Sequence, residues 1–165
     1  SPSRGLGDVY KRQVLGGGLV PGSAILIGGH PGAGKSTLLL QTLCKLSDSQ
    51  SCLYITGEES LSQVAMRADR LKLPKEKLRL AAETDVEQIL ELARKEMPRI
   101  LVVDSIQVMF LAALQSAPGS VAQVRECAAA LTRFAKQTGT VLLLVGHVTK
   151  DGTLAAPKFH DPSIN

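Results

Sequence analysis

A chain of 165 residues, 44% of them hydrophobic, suits a single globular domain with a substantial core. Aromatic residues make up only 3% and Trp is absent, so that core must be built from Leu, Val, Ile and Ala, the usual filling of a buried parallel sheet under helices. The formal net charge of +4, to which Arg4, Asp8, Lys11 and Arg12 contribute a net +2, permits an anionic partner without demanding one, and no apolar run is long enough to span a membrane.

Residues 1–13, SPSRGLGDVYKRQ, show no apolar periodicity. Their last six, DVYKRQ, coincide with the in-frame translation of a common transposase sequencing adapter, so the segment is expected to be non-native and is set aside from the fold. From residue 14 the chain becomes protein-like, although its first stretch, 15–19, is too rich in glycine for a signal peptide. Ala24-Ile25-Leu26-Ile27 then forms an apolar run that predicts a buried strand.

Directly after that strand, Gly29, His30, Pro31, Gly32, Ala33, Gly34, Lys35 and Ser36 complete the pattern GxxxxGK[ST]. Glycines there let backbone N–H groups turn inward around phosphates, Lys35 can reach the β and γ oxygens, and the Ser36 hydroxyl suits Mg²⁺. The run from Thr37 to Leu43 predicts a helix, and its N-terminus adds partial positive charge at the phosphates. The pattern therefore predicts a nucleoside triphosphate as ligand.

Cys52 to Thr56 reads as a second strand, followed by a helix with Leu61, Val64, Ala65, Ala68 and Leu71 at helical spacing and Ser60 as its cap, in a partial capping box. Leu78 to Ala81 is a weak strand, and Asp85 caps a helix through Glu96 that Pro98 stops. Ile100-Leu101-Val102-Val103 is too short for a helix and reads as a central strand buried on both faces. Segment 106–116 stays open between helix and loop. Ser120 caps a long helix with Val121, Val124, Ala128, Leu131 and Ala135 on one face, and residues 141–145 form the last apolar strand. This strict alternation predicts an α/β fold: a mostly parallel sheet with helices on both faces and ligands at the carboxyl ends of the strands.

Cys44, Cys52 and Cys127 form no CxxC pair, so neither a disulfide framework nor a zinc site is indicated; buried thiols in a reducing cytoplasm fit better. Three further strands end in polar groups at the edge where the phosphates would lie. Asp104 is placed to bind Mg²⁺ through water, the alternative being a cap for the next segment. Glu58 or Glu59 can accept a hydrogen bond from a water attacking the γ-phosphate, or serve as a first-turn acid favoured by the helix dipole. His147 can donate to the γ-phosphate or the nucleophile, or be a satisfied core histidine. Arg67, Arg70 and Lys72, like Arg125, Arg133 and Lys136, read as solvated helix faces, and no aromatic-interleaved basic cluster argues for stacking on bases.

Together these residues resemble the RecA-like ATPases, and the blocks VLGGGLVPGSAILIGGHPGAGKSTLLLQ, LYITGEESLSQVAMRADRL, VVDSIQVM, SAPGSVAQVRE and LLVGHVTKDGTLAAPK are similar to the bacterial RadA (Sms) DNA-repair family over residues 14–158. The resemblance implies a three-layer RecA-like P-loop NTPase fold with the Ala24 strand beside the Val141 strand, then those of Ile100, Cys52 and Leu78. It implies a cytoplasmic, ATP-hydrolysing, homo-hexameric protein with Mg²⁺ as cofactor, single-stranded DNA and recombination intermediates as partners, and branch migration as output. Carried over by position, Gly29 through Ser36 and Thr37 would hold the phosphates, Lys35 would take part in catalysis, Ser36 and Asp104 would hold Mg²⁺, Glu58 would orient the attacking water and His147 would act as sensor. Segment 107–121 and the residues after His147 would correspond to DNA-facing loops.

Departures from the family pattern are also expected. Its four-cysteine zinc module, KNRFG motif and Lon-protease-like domain have no counterpart in these residues, and 159–165 (FHDPSIN) reads as an irregular tail, so the core 14–158 is expected to be incomplete and C-terminally truncated, with the Ala24 strand at an exposed edge. Other readings are a regulatory ATPase of the clock-protein type and a non-functional nucleotide-binding fragment. A small-molecule kinase would need a mobile arginine-bearing lid, and no such insertion is evident.

Overall fold

Ile100, Leu101, Val102 and Val103 are all fully buried, and the strand they form lies in the middle of a parallel sheet. The computed structural model describes residues 20–29, 33–46, 50–72 and 78–147. In chain order the elements are β1 (Ala24–Gly29), α1 (Ala33–Leu46), β2 (Cys52–Thr56), α2 (Leu61–Arg70), β3 (Leu78–Ala82), α3 (Val86–Glu96), β4 (Ile100–Asp104), a 3-10 turn (Ile106–Val108), α4 (Val121–Thr138) and β5 (Val141–His147). The sheet order is β1-β5-β4-β2-β3, with every pairing parallel. This is the strand order that the RecA-like resemblance implies.

Side chains alternate across the sheet and build two cores. On one face Cys52, Tyr54, Ile100, Val102, Leu143 and Val145 pack with Leu39, Leu40 and Leu43 of α1 and Val64 and Ala68 of α2. On the other, Leu53, Ile55, Leu101, Val103, Leu142 and Leu144 pack with Ile89 and Ala93 of α3 and Cys127, Leu131 and Phe134 of α4. Each fully buried Leu, Ile or Val contributes about 1.5–3 kcal/mol, enough for these two layers to clamp the sheet. Cys52 and Cys127 are buried thiols, as expected; the side chain of Cys44 lies outside the described residues.

Helix ends follow the sequence signals. Ser60 and Gln63 form a complete, reciprocal capping box on α2, beyond the partial one expected. The Asp85 carboxylate accepts from the Glu87 N–H at 3.0 Å to start α3, and Gly139 ends α4 at φ +76, a left-handed conformation that favours glycine.

Two details differ from the pattern read in the sequence. Val121 was expected on the buried face of α4 but is 73% exposed; the buried stripe runs through Gln123, Cys127, Leu131, Phe134 and Ala135. At 3.6 residues per turn that stripe is centred about 100° around the helix from Val121, which falls at its margin. Leu61, the first residue of α2, is 42% exposed. Among the described residues β1 is an edge strand, with Leu26 54% exposed, in line with the edge expected there. No helix among the described residues is long and apolar enough to cross a membrane.

Candidate nucleotide site at the strand ends

Register alone brings the candidate residues together. Gly29 pairs with His147, Val145 with Asp104, and Asp104 with Thr56, so the carboxyl ends of β1, β5, β4 and β2 lie side by side. Three residues after β1, α1 starts at Ala33 and presents its N-terminus at this edge, the arrangement in which unsatisfied N–H groups and the helix dipole receive an anion. The phosphate-loop residues His30, Pro31 and Gly32 lie outside the described residues, as do the side chains of Ala33, Lys35 and Ser36. Gly29 closes β1, Gly34 lies in the first turn of α1, and Thr37 is half-buried in its second turn.

After β2 the chain turns tightly. The Gly57 N–H donates to the Asp104 carbonyl at 2.8 Å, tying the turn to β4. A Cβ at Gly57 would lie 2.6 Å from Val108 Cγ2 and 2.9 Å from Met109 Cε, so only glycine lets the turn pass this close to the 3-10 turn. The Thr56 hydroxyl then donates to the Glu59 carbonyl at 3.0 Å and accepts from the Glu59 N–H at 3.1 Å, fixing the two acids on opposite sides of the turn.

Their surroundings separate them. Glu58 meets the other strand ends: Ser105 Oγ donates to its Oε1 at 3.0 Å, and His147 Nε2 stands 3.2 and 3.1 Å from its two oxygens. Glu59 is held away from them in a two-pronged pair with Arg67, at 3.0 and 2.6 Å. That hydrogen bond to Glu59 is the main reason the Arg67 guanidinium pKa is raised. Glu58 is thus the acid aligned with Asp104, Ser105 and His147, while Glu59 is committed to α2.

Asp104 ends β4 with only 5% exposure, and Tyr54 Oη donates to its Oδ2 at 2.5 Å. Burial, reinforced by the adjacent Asp104 carboxylate, raises the Tyr54 pKa and keeps the phenol protonated and able to donate. The Asp104–Ser105 peptide is cis.

Beyond it, Gln107 is 1% exposed and grips the main chain of His147: Nε2 donates to the His147 carbonyl at 2.8 Å, and Oε1 accepts from the His147 N–H at 3.3 Å. Of the segment expected to face DNA, Gln107 and Met109 are therefore buried, and the exposed part begins after Phe110. Segment 106–116 is one 3-10 turn followed by a loop, held by Gln123, whose amide accepts from the Leu111 N–H and donates to the Ser116 carbonyl, both at 2.9 Å.

Sequence reasoning missed Tyr54, Ser105 and Gln107 as parts of the site. Tyr54 is the polar residue inside an otherwise apolar strand, two places before its end; that is the signal that could have found it. Gln107 had no comparable signal, since its partner is main chain on another strand.

A family model described as AAA domain matches residues 8–153. The chain belongs to the AAA domain family. That match begins at residue 8, inside the segment 1–13 that was expected to be non-native. An AAA domain is a nucleotide-binding domain of the ATPase class, in keeping with the strand-loop-helix arrangement after β1. The chain is also similar to "DNA repair protein RadA" of Haemophilus influenzae, 65% identical over 153 residues, which is 93% of this chain and 33% of that relative. RadA of Escherichia coli strain K12 is 67% identical over 146 residues (88% of the chain, 32% of the relative), and RadA of Bacillus subtilis strain 168 is 52% identical over 147 residues (88% and 32%). The AAA domain described here thus spans about a third of the length of these curated relatives.

Proposed function

We propose that the chain is the ATP-binding and ATP-hydrolysing core of a DNA-dependent motor of recombinational DNA repair. The observation that carries the hydrolytic reading is the meeting of Glu58, Ser105 and His147 beside Asp104 at one sheet edge, next to the N-terminus of α1. The repair role rests on the likeness to RadA proteins.

In this reading Gly29, His30, Pro31, Gly32, Ala33, Gly34, Lys35, Ser36 and Thr37 hold the triphosphate, and Lys35 neutralises charge on the β and γ oxygens. Asp104 fits a Mg²⁺ role: it sets a carboxylate at the end of β4, at the sheet edge where α1 begins, and Mg²⁺ needs only one or two protein oxygens beside phosphates and water. Among the described residues no group of three or more His, Cys, Asp or Glu forms a metal cage, and Mg²⁺ requires none. Ser36 and Asp104 would hold the ion, which when bound offsets charge on the phosphates.

Glu58 accepts a hydrogen bond from the attacking water and orients it in line with the γ-phosphate. Its side chain is 39% exposed, so water reaches it. His147 touches both Glu58 oxygens, and a γ-phosphate arriving at the imidazole competes with that contact and frees the carboxylate to hold water. Because Gln107 grips the His147 main chain, any displacement of His147 is felt in the 3-10 turn and the segment beyond it. The partners are single-stranded DNA and recombination intermediates, the assembly is a homo-hexamer with a positive group reaching each site from the neighbouring subunit, and the compartment is the cytoplasm.

The test is ATP turnover by the full-length protein with and without single-stranded DNA, beside a Lys35→Ala variant. The proposal expects DNA to accelerate turnover and Lys35→Ala to abolish it. Turnover that ignores DNA would favour the clock-type timer, and turnover unchanged by Lys35→Ala would sink the site assignment.

A further inference from the structure

The strand β2 reads Cys-Leu-Tyr-Ile-Thr, and all five residues are buried. Its Tyr54 faces the core shared with α1 and α2, where a phenylalanine would fill almost the same space without a polar atom to satisfy. A buried hydroxyl without a partner costs more than it gains, so the Tyr54 oxygen needs a reason to be there. That reason is across the sheet. Tyr54 stands opposite Val102, and Asp104 lies two residues further along the same strand on the same face, the diagonal position that an aromatic side chain can span. The phenol, 1% exposed, reaches Asp104 Oδ2 at 2.5 Å.

From this geometry we infer that Tyr54 is a positioning residue for the metal carboxylate Asp104. An aspartate carboxylate turns broadly about its terminal torsion unless something holds it. The phenol is rigid, anchored in the core, and donates to one named oxygen, so it fixes the plane in which the carboxylate presents itself to the ion. Partners of this kind act through the ligand they orient, and losing one typically weakens metal binding by about 10–100-fold. The inference rests on the reading of Asp104 as a Mg²⁺ residue.

The experiment measures Mn²⁺ affinity in the presence of ADP by electron paramagnetic resonance, using full-length wild type, Tyr54→Phe, Tyr54→Met and Asp104→Asn. ADP affinity in EDTA and the thermal midpoint without nucleotide are measured alongside. The expected result is about tenfold weaker Mn²⁺ binding for Tyr54→Phe and for Tyr54→Met, which fills a similar volume without a donor, while metal-free ADP affinity stays within twofold of wild type. Mn²⁺ affinity within twofold of wild type in the folded Tyr54 variants, with Asp104→Asn strongly weakened, overturns the role of Tyr54 alone. Affinity unchanged in Asp104→Asn overturns the metal reading of Asp104 and, with it, this inference.

Discussion

Glu58→Gln and Glu59→Gln alter adjacent acids and should have opposite consequences. Glu58 meets Ser105 at 3.0 Å and His147 at 3.1 Å, and in its proposed role of orienting the attacking water it should contribute about 10²–10⁴-fold to the rate. Replacing it with Gln keeps the shape but removes the basic oxygen, so single-turnover hydrolysis by the full-length protein should fall at least about a hundredfold while ATP binding persists. Glu59 faces Arg67 in a fork at 3.0 and 2.6 Å, with side chains 28% and 23% exposed. A pair this accessible to water is worth about 1 kcal/mol at most, which in a domain of this size lowers the thermal midpoint by roughly 2–4 °C. Quenched-flow hydrolysis of radiolabelled ATP and scanning calorimetry separate the two effects. A hundredfold loss in Glu59→Gln with near-normal rates in Glu58→Gln would refute the assignment.

Three other consequences follow from the same geometry. Gly57→Ala places a Cβ against Val108, Met109 and Thr84, and this overpacking should cost about 1–3 kcal/mol, read as a lower midpoint in denaturant; an unchanged midpoint would mean the turn has room to spare. Gln107→Leu removes both side-chain bonds to the His147 main chain, so exchange of the His147 amide hydrogen should quicken, and unchanged exchange would show that the grip is not what protects it. Burial pushes the Cys127 thiol up from 9.0 to about 11, which cuts its thiolate fraction near neutral pH about a hundredfold. The same shift makes the fold lose stability as pH climbs between those two values, where the unfolded thiol ionises and the folded one does not. Iodoacetamide labelling mapped by mass spectrometry should therefore mark Cys127 slowly in the native protein and quickly in urea; equal rates would contradict that burial.

Much of this architecture could be read from the sequence because it is repetitive. A run such as Ile100 to Val103 can satisfy its apolar side chains only between two layers, and β4 is buried on both faces. Caps were legible for the same local reason: Ser60, Asp85 and Ser120 each bond backbone within three residues. What escaped was set by distant partners. The buried side of α4 is set by what Gln123, Cys127 and Leu131 pack against, so Val121, at the margin of that stripe, points into solvent. Gln123 and Gln107 look like surface residues but are buried because loop and strand backbones on other elements need their amides. Among the site residues, Glu58, Asp104 and His147 were visible as polar groups at strand ends. That Glu59 pairs with Arg67 while Glu58 meets Ser105 and His147 was not, since it depends on side chains from other elements.

A structure of the full-length protein with Mg²⁺ and a non-hydrolysable ATP analogue tests the central claim most directly. The account predicts the γ-phosphate between Lys35 and His147, the ion on Ser36 and on the Asp104 side of the site, and Glu58 turned toward a water in line with that phosphate. A nucleotide whose γ-phosphate lies away from the ends of β2, β4 and β5, or a Glu58 that stays locked on His147 with no water beside it, would contradict it.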